Sequence, residues 1–321
     1  MDVVAYGGLV MDLILQIDRA LEKNASCYVN QLSWQYGGKV ATGIVATQRL
    51  WGRGCGIAGT VGGAAGQWIK HDFDRHGVDT SHIVVDPNGT SQFCVGIAIE
   101  QSQSRNFYIQ QQSTPYLTPE QVDAAYIQSA KYLFLSDPRP YSVRAAQIAQ
   151  RCGVKVVYDA DKYYDSGMPE VLQYVDYLIP SEMCYRTLFA DGSDWQGNLL
   201  KLQQMAAPGA VVIVTFGEKG LKGLDADGVF EQNAFCVPVC DTTGAGDVFH
   251  GAFIAGLLRQ MDVRHAARYA SAAAAIKCTR IGGRAGIPTH EVVEHFLATG
   301  EIDGRELDER VAYYAQMPMT L

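Results

Sequence analysis

Short apolar runs alternate with longer amphipathic stretches along most of the chain. Residues 3–6, 56–61, 83–85, 132–135, 155–158, 177–179 and 211–215 are apolar at nearly every position. Strands of a parallel sheet read this way because helices cover both of their faces. Between these runs apolar residues recur at helical spacing, which predicts helices near 40–51, 64–76, 119–130, 141–151, 182–190, 196–206, 245–259, 263–278 and 289–298. Strands alternating with helices predict an α/β fold, a mainly parallel sheet between helical layers. Residues 13–36 and 91–112 break the rhythm. Their alternation and their β-branched and aromatic content, as in 93–99 and 107–109, suit a small antiparallel sheet. Residues 301–321 carry no readable signal, and no solenoid repeat, low-complexity tract or flexible linker interrupts the chain.

Charge and cysteine usage narrow the class. Lys and Arg number 26 against 34 Asp and Glu over 321 residues, a net charge of -8 without a basic run, which argues against nucleic acid or an anionic membrane as partner. The eight cysteines are scattered without a C-x-x-C pair and read as reduced thiols. The first residues lack a basic segment followed by an apolar one, and no apolar run approaches membrane-spanning length, so the cytoplasm is the expected compartment.

The chemistry concentrates in a few turns. Asp241-Thr242-Thr243-Gly244-Ala245-Gly246-Asp247 precedes an apolar helix. Small residues let backbone N–H groups approach an anion, the helix aims its positive end at the same point, and Asp247 sits in the first turn as a proton acceptor. That combination suits phosphoryl transfer to a hydroxyl. Asp12 follows the first strand, at the sheet edge where open α/β folds bind ligands, and can accept hydrogen bonds from two hydroxyls. Gly37, Gly38, Lys39 and Thr42 open a helix on a diglycine, a close backbone approach. Arg139 follows the strand at 132–135 and offers a fork of donors for a carboxylate, sulfonate or phosphate. Asp159 and Asp161 read either as a metal site or as a solvated turn, and His250 as a packed helix residue.

The D-T-T-G-A-G-D turn with its apolar helix closely resembles the C-terminal signature of the ribokinase-like, or PfkB, carbohydrate kinases, and Gly37-Gly38 resembles their N-terminal diglycine motif. The resemblance spans residues 2–298. It implies that Asp247 is the base and that the amides of Gly244, Ala245, Gly246 and Asp247 form an anion hole for the γ-phosphoryl of ATP. It also implies that Asp12 orients the sugar. It puts a β lid at 13–36 and 91–112, a nucleotide- and sugar-binding body at 1–12, 37–90 and 113–300, and a homodimer through the lid. On the nucleotide side Ser181-Glu182 stands where the family shows N-x-x-E, with Ser181 for the Asn and Cys184 for the second acid, so that Mg²⁺ is organised through Glu182, by way of water. Thr215, Gly217, Lys219 and Gly220 match the loop that lines the ATP phosphates and ribose. Ala274, Cys278 and Gly283 border adenine, and in some members a K⁺ lies beside the residues matching Asp241 and Thr243.

Departures bear on the substrate. Thr42 and Val10 replace two asparagines of the ribose kinases, which argues against plain ribose. The segment 277–288 is similar to the sulfofructose kinase branch, yet Cys27 stands where a lysine near the substrate's anionic end is expected, so sulfonate specificity is not carried over. The expected acceptor is a hydroxyl of a sugar or sugar derivative, with a ketose or an anionic sugar open among them. The alternatives are a PfkB nucleoside kinase, with a base packed on Phe93, Phe107 or Tyr108, and a non-catalytic sugar- or nucleotide-binding protein of the same fold. A Rossmann dehydrogenase is disfavoured because no G-x-G-x-x-G follows the first strand.

Overall fold

Strand β1 (Val3–Tyr6) is apolar throughout because alternate residues enter different cores: Val3 and Ala5 face one side, Val4 and Tyr6 the other. The computed structural model describes residues 1–102, 104–190 and 193–316. After β1 come β2 (Val10–Ile17), β3 (Gln31–Gly37), β4 (Cys55–Gly62), β5 (Asp79–Asp86), β6 (Gln92–Ile99), β7 (Ser104–Gln110), β8 (Tyr132–Leu135), β9 (Lys155–Ala160), β10 (Tyr177–Pro180), β11 (Val211–Thr215), β12 (Leu221–Asp225) and β13 (Gly228–Gln232). Nine of them form one sheet in the order β13-β12-β11-β10-β9-β8-β1-β4-β5, in which neighbours are parallel except for the pairs β11–β12 and β12–β13.

Helices cover both faces. Lys39–Trp51, Gly63–Arg75, Ala245–Leu258, Val263–Cys278, His290–Thr299 and Arg305–Tyr314 share a core with the outward residues of one sheet face. Ala124–Gln128, Pro140–Cys152, Met168–Leu172, Glu182–Leu188 and Trp195–Met205 share the other. Fully buried side chains such as Phe73, Phe134 and Phe253 each contribute about 1.5–3 kcal/mol of transfer free energy, which sets these layers against one another. Helix starts follow local chemistry: Asp194, Asp262 and Thr289 accept backbone N–H bonds from the first turns of their helices.

The remaining four strands form a second sheet in the order β3-β2-β6-β7. It is mixed rather than wholly antiparallel, because β2 and β6 run parallel while the outer pairs do not. The helix expected over 119–130 is two pieces, a 3-10 turn at Pro119–Gln121 and Ala124–Gln128. Asp123 between them leaves the helical conformation to cap the second. The hairpin β12–β13 and the helices Met168–Leu172 and Arg305–Tyr314 had no counterpart in the sequence pattern. Residues 317–321 of the unassigned C-terminal segment lie outside the described residues. All eight cysteines are free, and no helix among the described residues is long and apolar enough to cross a membrane.

Candidate active site

The strand order reverses between β1 and β8, and open α/β sheets form their ligand crevice at the carboxyl ends of such a pair. The turn after β1 faces the turn after β8 here: a Cβ on Gly8 would lie 4.0 Å from Asp137 Oδ2. The helix Lys39–Trp51 starts beside it from Gly38 at φ 97°, a conformation open to glycine, where a side chain would also strike the Gly8 carbonyl. Gly37 leaves the space that the Asp12 carboxylate of neighbouring β2 fills. Asp12 is half-buried. Burial pushes its carboxyl up to about 7, against the pull of Arg284 and a hydrogen bond from the Cys94 thiol of β6.

Lys39 brings together residues from several strands. Its Nζ lies 3.3 Å from Asp161, and Asp159, Asp161 and Asp137 hold its pKa up despite burial. Asp159 is 2% exposed, so the solvated-turn reading fails for it, whereas the Asp161 side chain is 52% exposed. His250 Nε2 approaches Asp159 Oδ1 at 3.6 Å, and its two ring nitrogens meet the carbonyls of Gly246 (2.6 Å) and Ile179 (3.1 Å). His250 is thus a buried packing residue that also ties this acid to the helix carrying Asp247. Arg139 lies at the start of the helix Pro140–Cys152 with its guanidinium 3.5 Å over the Tyr116 ring.

The turn at 241–247 is clamped from several directions. Thr243 donates its N–H and hydroxyl to Asp241 Oδ1 at 2.8 and 2.7 Å, and Gly282 donates its N–H to Oδ2 at 2.8 Å. Cys240 and Asp241 donate to the Cys278 carbonyl, and buried Lys277 donates to the Asp241 carbonyl at 2.8 Å. Gly244, at φ 74°, caps the helix Ala245–Leu258, and a Cβ there would lie 3.0 Å from Gly283 Cα and 3.6 Å from the Thr42 methyl. A Cβ on Gly246, by contrast, would meet nothing within 4 Å. Open space therefore lies beside the helix's first amides, where its dipole favours an anion. Asp247 is half-buried in that first turn. Burial, and then the Asp159 carboxylate, push its pKa well up; Asp161 and Asp12 add to this and Lys39 opposes it. From β7 of the small sheet, Arg105 donates to the Thr242 hydroxyl of the same turn.

The nucleotide-side motifs also meet. Glu182 pairs with Arg186 at 2.7 Å and with Lys219 at 3.5 Å, which brings the Ser181-Glu182 turn against the 3-10 turn Gly217–Lys219. The Arg186 hydrogen bond holds the Glu182 carboxyl below its usual range. Ser181 hydrogen-bonds the Asp161 carbonyl, caps the helix Glu182–Leu188 and sits in a bridge with Thr215, so its hydroxyl is already occupied. Gly220 closes the turn at φ 85°; Ala274 is half-buried and Cys278 buried along the helix Val263–Cys278. Three residues of the site escaped sequence reasoning. Arg105 lies on an exposed strand without local signal, and Cys94 is marked only by its register opposite Asp12. Lys277 did leave a trace, since it falls on the buried stripe Ala266, Ala270, Ala273, where a lysine is out of place.

Comparison with known proteins agrees with this geometry. A profile of pfkB family carbohydrate kinases matches residues 1–290. The chain is 32% identical over 281 residues to a ribokinase of Haemophilus influenzae, covering 82% of this chain and 87% of that one. It is 27% identical over 310 residues to a 5-dehydro-2-deoxygluconokinase of Shouchella clausii, covering 90% and 93%. Among solved structures, a ribokinase from Thermotoga maritima superposes with a TM-score of 0.80 at 23% identity, covering 93% of this chain and 99% of that one, which speaks to the fold alone. With the diglycine turn, the D-T-T-G-A-G-D helix start and the sheet order all in place, the chain belongs to the pfkB family of carbohydrate kinases.

Proposed function

We propose that this kinase transfers the γ-phosphoryl group of ATP to a hydroxyl of a sugar or sugar derivative, a ketose or an anionic sugar among the candidates, with Asp247 as the base. The observation that carries the reading is the Asp247 carboxyl, raised by burial and neighbouring acids, beside the open space at Gly246. A raised carboxylate is a better proton acceptor near neutral pH. The acceptor oxygen attacks the γ-phosphorus, the bond to the β-phosphate oxygen breaks, ADP leaves with that electron pair, and the hydroxyl proton passes to Asp247. The transition state is loose, so positioning and charge neutralisation supply most of the rate. The amides of Gly244, Ala245 and Gly246 receive the migrating oxygens. Asp12 accepts from sugar hydroxyls, Thr42 and the diglycine line their approach, and Lys39 and Arg139 face the anionic end of the acceptor. Arg105 supplies a cation from the lid at the phosphate turn, where it donates to the Thr242 hydroxyl.

ATP arrives with Mg²⁺. Among the described residues no group of three or more His, Cys, Asp or Glu is arranged to hold a metal, which suits an ion carried by phosphates and water with one carboxylate nearby. Glu182 is that carboxylate in this reading, and Lys219 faces the phosphates. Thr215, Gly217 and Gly220 line the ribose, and Ala274, Cys278 and Gly283 the base. The lid's outer strand joins two copies in a homodimer, and the protein acts in the cytoplasm without nucleic-acid or membrane partners.

The test is ADP release over a panel of ketoses, sugar acids, sulfonated and phosphorylated sugars, and nucleosides. Acceptor-dependent turnover with a sugar is expected. Turnover with nucleosides alone would replace this reading by a nucleoside kinase, and ligand-stabilised melting with no turnover would replace it by a binding protein.

A further inference from the structure

The resemblance to the family placed a monovalent cation beside Asp241 and Thr243, but the oxygens of Asp241 and the Cys278 carbonyl next to them already accept hydrogen bonds. Both oxygens of the Asp241 carboxylate accept from Thr243 and Gly282. The Cys278 carbonyl accepts from the N–H groups of Cys240 and Asp241. The Asp241 carbonyl accepts at 2.8 Å from Lys277 Nζ, and Lys277 is 0% exposed. A K⁺ bound here would share that carbonyl with an ammonium, which places two monocations side by side in a site closed to water.

We propose that the ammonium of Lys277 is the monovalent cation of this site, built into the chain, and that the enzyme works without K⁺. An ammonium carries the same single charge as K⁺ and, like it, is satisfied by carbonyl oxygens. Its place follows from the helix. Lys277 lies in the last turn of Val263–Cys278, on the stripe that faces the core, and its four methylenes reach back to the irregular segment at 240–241. The side chain is shut off from solvent, and the loop after the helix packs closely on its backbone, since a Cβ on Gly286 would lie 2.5 Å from the Lys277 carbonyl. The charge has a partner to balance: burial would raise the pKa of Asp241, and Lys277 with the bonds from Thr243 and Gly282 holds it down instead. The clamp of Asp241 on Thr243 and Gly282 holds the turn beside the open space at Gly246. Lys277 is a positioning residue, acting through the turn, and its proposed role rests on the reading of 241–247 as a phosphate-binding turn.

The experiment is thermal melting in KCl, NaCl and tetramethylammonium chloride at matched ionic strength, with and without Mg·ADP. Melting needs no turnover, so its outcome is separate from whether an acceptor is found. The wild-type midpoint and its shift with Mg·ADP should agree within about 1 °C across the three salts, because a tethered cation cannot be diluted away. A K⁺-specific rise of more than about 3 °C in either quantity would overturn the proposal. Lys277→Ala opens room beside the Asp241 carbonyl, and its lowered midpoint should recover in part with K⁺ and not with tetramethylammonium. Lys277→Met, which fills the space with an apolar chain, should lower the midpoint alike in all salts. A folded Lys277→Ala protein that melts identically in all three salts would also overturn the proposal. Should that variant not fold, the wild-type arms decide. With the acceptor from the panel, wild-type ADP release should vary by less than roughly twofold among the salts.

Discussion

Asp247 must be ionised to take a proton, yet burial and the acids around it favour the protonated form, and Asp12 shares this tension with its pKa pushed up to about 7. Activity and stability should therefore move oppositely with pH. As pH falls, Asp12, through about 7, and Asp247 both lose the charge that the proposed transfer requires, so kcat/KM should decline. The folded protein binds protons at these carboxyls that the unfolded chain releases, so stability should rise over the same step from pH 8 to about 7. Burial pushes His76 down to about 3 from 6.5, which offsets one of these two protons: below about 6.5 the unfolded chain takes up a proton that the folded protein refuses, so the rise becomes shallower without reversing. Ligand-free melting followed from pH 5 to about 8.5 should fall toward the alkaline side, more gently below about 6.5 than above it, and Asp12→Asn should flatten that fall. A midpoint climbing steadily to pH 8.5 would contradict these assignments. Arg105→Gln removes the lid's cation from the phosphate turn and should lower kcat/KM by about tenfold, read from steady-state ADP release; an unchanged value would leave Arg105 without a part in transfer.

At the scale of elements, the helix Arg305–Tyr314 lies beyond the part of the chain that the family profile matches. It reaches the site from behind. The Tyr314 hydroxyl donates to Asp72 Oδ1 at 2.9 Å, and Asp72 pairs with buried Arg284 at 2.5 Å. The backbone N–H of Arg284 holds Gln35, opposite Asp12 on β3, and Arg310 donates to the carbonyls of Arg284 and Ala285. Tyr314→Phe takes a partner from buried Asp72 and should cost about 1–3 kcal/mol in urea unfolding. A loss within measurement error would mean that the network does not hold the helix. This helix was not legible in the sequence because the residues it buries, Leu307, Arg310 and Tyr314, include an arginine and a tyrosine that patterning assigns to the surface. The hairpin β12–β13 was missed for a related reason, since short strands with Lys222 and Glu231 facing solvent look like loop. The long helices were readable from period and cap. The phosphate turn was readable because its parts are consecutive in the chain, whereas Arg105 on Thr242, Lys277 on Asp241 and His250 by Asp159 join distant segments that one sequence does not pair.

For the molecule as a whole, the two sheets divide the work. The large sheet, both faces covered, gives a rigid crevice at the β1–β8 reversal, and the small sheet extends over it with β7 as an unpaired edge. Every residue of Ser104–Gln110 is exposed, and Phe107, Tyr108 and Ile109 present apolar surface there. An edge of this kind invites pairing with a second copy. Light scattering should give a dimer mass, and Tyr108→Lys should shift it toward the monomer; a monomer at micromolar concentration in the unaltered protein would remove the lid from the interface. The net charge of -8 makes the local cations informative, because Lys39 lies against Asp161, Arg105 against Thr242, Arg139 against Tyr116 and Lys219 against Glu182, on segments that the proposed function assigns to the nucleotide and the acceptor. The Asp247 carboxylate is the hinge of the account, and the turnover of Asp247→Asn with the acceptor identified from the panel tests it most directly. The substitution keeps size and removes the proton acceptor, so kcat should fall by about 10²–10⁴ while calorimetric affinity for Mg·ATP stays within roughly twofold. A kcat near that of the unaltered protein would contradict the assignment of Asp247 as the base.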